Sequence, residues 1–100
     1  MIVLQATIPV ATDHREEMIE AAIELAEQSR AEDGTIDYRV TTDIEEPSVF
    51  RVFEQYEDEA AMNAHLESDH YERFQNRIGE WIAGEVDLIR YDVDSTSQMM

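Results

Sequence analysis

The sequence predicts an α+β domain with the element order β-α-β-β-α-β. Three observations carry this. Four segments alternate apolar and polar residues at a period of two. Two longer segments repeat apolar residues at helical spacing. Gly34, Pro47 and Gly84 sit where these patterns change. A chain of 100 residues is one domain by size, assigned to residues 1–93 with a flexible tail over 94–100.

Ile2, Leu4, Ala6, Ile8 and Val10 alternate with Val3, Gln5, Thr7 and Pro9, which predicts the first strand. Asp13 followed by Glu16 reads as an N-cap with its reciprocal acid, opening a helix to about Glu32. Met18, Ile19, Ala22, Ile23, Leu25 and Ala26 form the apolar stripe of that helix, and Gly34 ends it. Ile36, Tyr38 and Val40 mark a second strand. Glu45 to Ser48 is turn chemistry, and a third strand runs from about Val49 to Tyr56. Asp58 caps a helix carrying Ala61, Met62 and Leu66. Ser68 interrupts it and caps a further stretch with Tyr71, Phe74, Ile78, Trp81 and Ile82. The last strand spans Glu85 to Val93, with Val86 and Leu88 on one face and Ile89, Tyr91 and Val93 on the other. This order is the ferredoxin-like split βαβ unit: a four-stranded antiparallel sheet with its helices on one face. Two strands carry apolar residues on both sides, so the second face calls for a cover, and two-fold pairing with another copy is the economical one.

Charge sets the next bounds. Twenty-four acids oppose seven bases, all of them arginine, for a net charge of −17. Such a surface repels itself in dilute buffer, and molar salt screens the repulsion over a Debye length of about 3 Å. This reads as a halophilic protein. Clustered bases for phosphate are lacking, so nucleic acid and anionic membranes are not expected partners. No window reaches the roughly 18 apolar residues of a membrane span. The opening residues alternate like a strand and lack a basic leader, which points to the cytoplasm. The chain has no cysteine, which excludes disulfides, thiolate nucleophiles and Cys metal sites.

Specific motifs carry a resemblance. Phe53-Glu54-Gln55-Tyr56-Glu57-Asp58-Glu59-Ala60-Ala61 and His65-Leu66-Glu67-Ser68-Asp69-His70-Tyr71-Glu72-Arg73-Phe74 are similar to the E-x-W-x-D/S-x-x-A and H-x-x-S-x-H-F/Y-x-x-F patterns of antibiotic biosynthesis monooxygenase (ABM) domains. The stretch from Ser29 to Val40 is similar to that family's S-R-x-E-x-G-x-x-x-Y. The resemblance spans about Met1 to Tyr91 and suggests a halophilic archaeal member. It implies a dimeric α+β barrel with a ligand cavity in each subunit. It also implies oxidation of phenols or quinols by molecular oxygen, with no metal or flavin cofactor. Tyr56 stands where the family usually has Trp, and Val52 where polyketide-oxidising members have Asn. The haem-degrading branch is rejected, because Gln75, His65 and Thr7 occupy the places of its His, Trp and Asn.

Cofactor-free oxygenation needs an apolar pocket for an electron-rich ring and a group to take its proton. His65 is a candidate base, its alternative being a structural imidazole tied to a strand carboxylate such as Glu54. Glu54 is an acid in an apolar strand, with a raised pKa if it faces inward and solvent as the alternative. Glu54, His65 and Tyr56 are the catalytic candidates. Tyr38, Met62, His70, Tyr71, Phe74 and Trp81 are candidate pocket walls for a small aromatic or quinol-like substrate. For the aromatics and Met62 the alternative is ordinary core, and for His70 a helix cap. His65 and His70 are five positions apart, about 140° around one helix, so no shared metal position is expected. The competing function is a non-catalytic small-ligand-binding or interaction module on the same fold.

If the charge reading holds, the melting temperature climbs steeply between about 0.1 M and about 2 M KCl. Thermal unfolding across that range checks it, and a flat response removes the halophilic reading.

Overall fold

The computed structural model describes all 100 residues. The strands are β1 (Ile2–Pro9), β2 (Thr35–Thr42), β3 (Val49–Tyr56) and β4 (Asp87–Asp92). The α-helices are α1 (Arg15–Arg30), α2 (Glu59–Leu66) and α3 (Asp69–Ile78). All strand pairs are antiparallel and the sheet order is β2-β3-β1-β4. This is the expected ferredoxin-like topology.

The expected barrel is not found. The sheet is open, with β2 and β4 as its two free edges. Only β1 and β3 have neighbours on both sides, and no hydrogen-bonded pairing joins β2 to β4. The physical reason lies in the strand count: four strands twist but do not close on themselves with a filled interior.

The face toward the helices is built by period two. Ile2, Leu4, Ala6 and Ile8 of β1 lie beside Tyr56, Glu54, Val52 and Phe50 of β3, all buried. Met18, Ala21, Leu25 and Ala26 of α1, with Phe74 and Ile78 of α3, close over them as the main core. A smaller cluster of Ile2, Leu4, Tyr56 and Met62 fills the α2 end. The opposite face mixes apolar and polar groups. Arg51 there donates to Asp43 and Thr7, so this part of the face is polar. β4 is exposed along its whole length.

Local chemistry explains the element ends, with corrections: α3 ends at Ile78, so Trp81 and Ile82 lie beyond it, β4 is Asp87–Asp92 rather than Glu85 to Val93, and one expected cap is absent. Asp58 and Ser68 cap α2 and α3, accepting from the backbone N–H groups of Ala61 and Tyr71. The predicted Asp13 cap is not made. Thr12–His14 form a 3-10 turn, and His14 at the start of α1 contacts Glu17 through its ring instead. Gly34 has φ +84°, open to glycine at no steric cost. A Cβ there would lie 2.6 Å from Cβ of Ala61, so its absence also lets α2 sit against the α1–β2 turn. That close approach brings α2 next to Glu32.

Candidate functional site

Glu54 is the focus. It lies mid-strand on β3 with its side chain toward the helices and is only 5% exposed. Tyr56, two residues on, points the same way by strand period and donates its hydroxyl to Glu54 Oε1 at 2.6 Å. Burial pushes the Glu54 carboxyl up to about 7, against the lowering effect of the Tyr56 hydrogen bond. Burial and the neighbouring Glu54 charge raise the phenols of Tyr38, Tyr56 and Tyr71, so all three stay protonated donors.

Glu54 lines a cavity of about 130 Å³ between the sheet and α3. Tyr38, Tyr71, Phe74, Ile78 and Leu88 are among its walls, and Glu54 is its one titratable acid. Val86 and Leu88, on the β4 side, are about half exposed, so the cavity is open toward that edge. A larger groove of about 430 Å³ runs between α1 and β2, lined by Arg15, Arg30 and Arg39. It contains no carboxylate or imidazole and so lacks a proton acceptor.

His65 sits behind this wall rather than on it. It is fully buried, with the rings of Tyr71, Tyr38 and Tyr56 at 5.0, 5.2 and 5.7 Å. Nε2 is 3.8 Å from Glu54 Oε1 and has no hydrogen-bond partner. Nδ1 lies 3.0 and 3.1 Å from the two carboxylate oxygens of Glu32. Loss of hydration pulls the His65 pKa down, opposed by Glu32.

Glu32 is the residue the sequence reading missed. It follows α1 and accepts from the Thr35 hydroxyl at 3.0 Å. His70 Nε2 makes a very short contact with its other oxygen. The helical-wheel argument against a shared position for His65 and His70 fails here, because the chain breaks at Glu67 and Ser68 and places them on different helices. Glu32, His65 and His70 thus offer three ligand atoms within 4.8 Å of one another, a set able to hold a cation. The signal was present: Glu32 is a letter of the S-R-x-E-x-G pattern, just as both histidines are letters of theirs.

Other expected wall residues lie elsewhere. Tyr38, Tyr71 and Phe74 line the cavity; Tyr56, Met62, His70 and Trp81 do not. Met62 packs in the smaller cluster with Tyr56, and Trp81 packs on the main core near His14.

Comparison with known proteins decides the family. The profile of the antibiotic biosynthesis monooxygenase (ABM) family matches residues 1–77. The chain belongs to the ABM family. This ABM protein is 37% identical to a Bacillus subtilis protein named "Putative monooxygenase YcnE" over 93 residues, 93% of this chain and 98% of that one. Its fold matches the crystal structures of PA3566 from Pseudomonas aeruginosa and of a conserved protein from Methanosarcina mazei. The first has a TM-score of 0.85 and 28% identity over 94% of each chain. The second has a TM-score of 0.86 and 27% identity, covering 90% of this chain and 89% of that one. Family membership associates the ABM chain with monooxygenase-type oxidoreductases. No helix is long and apolar enough to cross a membrane.

The Glu54 environment has a consequence for stability. Its carboxyl holds a proton to about pH 7 when folded, against an ordinary value of 4.5. Between those values the folded state binds more protons than the unfolded state, so stability falls as pH rises. The wild type should lose about 3 kcal/mol from pH 4.5 to pH 8 relative to Glu54→Gln, whose amide still accepts from Tyr56. Urea unfolding of both proteins across that range checks it. Parallel pH profiles would contradict the assignment.

Proposed function

We propose that this ABM protein is a cofactor-independent quinol oxidase or monooxygenase for a small aromatic substrate. The carrying observation is a single buried carboxyl, Glu54, in the wall of a cavity that is aromatic-lined and apolar apart from Gln75. A hydroquinone ring enters beside Tyr38, Tyr71 and Phe74 with one hydroxyl on Glu54. Glu54 takes that proton, and a carboxyl titrating near neutrality is well matched to the task. The electron-rich anion gives two electrons to dissolved O₂. With both hydroxyl protons released, the quinol leaves as quinone and O₂ becomes hydrogen peroxide.

Tyr56 acts on Glu54 from behind, donating its hydroxyl to the carboxyl and favouring its charged form, and His65 stands behind Glu54 at 3.8 Å. His65 is therefore a positioning residue in this reading, not the base that meets substrate.

We also propose a homodimer, closed through the sheet face away from the helices. Ile89 and Tyr91 project from that face of β4, each about half exposed. A monomer that leaves apolar side chains bare on a sheet face gains by covering them. The acidic composition further supports a halophilic source, and a cytoplasmic location is part of the same proposal.

Oxygen uptake by the purified protein in high salt, across a panel of hydroquinones, tests the chemistry. Uptake is expected, with a rate that rises through about pH 7 as Glu54 ionises. Glu54→Gln should lower the rate about 100-fold. No uptake with any quinol, alongside tight binding of the same compounds, would replace this reading with a non-catalytic ligand-binding module.

Sedimentation in concentrated KCl tests the assembly. The account expects twice the chain mass, and folded single chains would remove the dimer.

A further inference from the structure

Three side chains from separate parts of the fold converge on one point outside the cavity. Glu32 follows α1, His65 is near the end of α2, and His70 is in the first turn of α3. Their ligand atoms all lie within 4.8 Å of one another. Both Glu32 oxygens are near 3 Å from His65 Nδ1, and His70 Nε2 is in contact with one of them. A tetrahedral ion bonded at about 2.0–2.2 Å needs donors about 3.4 Å apart, so little movement separates this cluster from a ligand set.

The geometry points to a divalent-cation site of the zinc type, formed by Glu32, His65 Nδ1 and His70 Nε2. Two imidazoles and one carboxylate suit a borderline ion such as Zn²⁺ better than Mg²⁺ or Ca²⁺, which prefer all-oxygen sites. The surroundings are those of a ligand shell. The Thr35 hydroxyl donates to Glu32 and fixes the carboxylate. On the far side of the His65 ring, Nε2 is buried without a partner and faces Glu54 at 3.8 Å.

Cation binding would change the role of that orphaned nitrogen. If neutral His65 donates Nδ1–H to Glu32, its Nε2 carries only a lone pair beside the Glu54 carboxyl. If Nδ1 binds a cation, the ring proton moves to Nε2 and points at Glu54. A ligating histidine that donates its other N–H to a carboxylate is the usual arrangement in metal sites. The ion then lies on the Glu32 side of His65, away from the cavity. It ties together the end of α1, α2 and α3, and it fixes the tautomer that Glu54 meets. Partial exposure of Glu32 and His70 gives it a way in. Nothing in this site depends on the oxidase reading.

The test uses the full chain, stripped with a chelator and titrated with zinc chloride and cobalt chloride in high salt. One equivalent should bind with a Kd at or below about 1 µM. Zinc should raise the melting temperature, and Co²⁺ should give the visible absorption of a tetrahedral N/O site. His70→Ala or Glu32→Gln should weaken binding at least about tenfold. His14→Ala removes a comparable exposed histidine–carboxylate pair and should leave binding unchanged. In the unmutated chain, ring-nitrogen NMR should show zinc moving the His65 and His70 signals, with the His65 proton on Nε2, while His14 stays put. The site is overturned by any of three results: no saturable binding at one equivalent, binding indifferent to His70→Ala, or His65 and His70 ring signals that zinc leaves in place.

Discussion

His65 is fully buried and has a carboxylate facing each ring nitrogen, Glu32 on one side and Glu54 on the other. An imidazole in that position costs hydration, and its surroundings must return what burial removes. Three tyrosine rings pack around it. The smaller core cluster, the turn at Gly34 and the break before α3 are all arranged around this residue. Removing one carboxylate would leave the others in a dry interior without their partner, which is costly in a way surface ion pairs are not.

This arrangement links the fold to the cavity. Glu54 is the only member of the polar cluster that reaches the cavity wall. Behind it, Tyr56 donates to the carboxyl and His65 faces it at 3.8 Å. The open side of the cavity is β4, whose apolar side chains are uncovered on both faces. The cavity mouth and the uncovered apolar side chains of β4 therefore lie along the same edge.

Most of the fold was legible in the sequence because strands and helices write their period into it. β1 and β3 lie where alternation placed them, and the interruption at Ser68 was read from a capping residue. Asp13 failed as a cap because the chain enters α1 through a 3-10 turn, a choice made by local backbone geometry. The barrel failed because it rested on a family resemblance and not on the strand count, and four strands leave two free edges. The Glu54 and His65 proximity was legible as an acid in an apolar strand opposite a histidine on an apolar helix stripe. Glu32 was legible only as a letter of S-R-x-E-x-G, since by composition it looks like one more acid among twenty-four. The histidine pair was misjudged because a helical wheel assumes an unbroken helix, and here the helix breaks between them. Met62 and Trp81 are aromatic or thioether candidates that pack in the core rather than line the cavity. Aromatic and thioether groups serve equally well as core, and depth in the fold decides which they become.

Coupling of Glu32 and Glu54 through the His65 ring is open to a double-mutant cycle with Glu32→Gln and Glu54→Gln, measured by urea unfolding at about pH 8 in the presence of a chelator. A coupling energy of about 0.5–3 kcal/mol is expected, because each carboxylate faces a nitrogen of the same imidazole. Additivity within about 0.3 kcal/mol would contradict it and leave the two acids as unrelated neighbours.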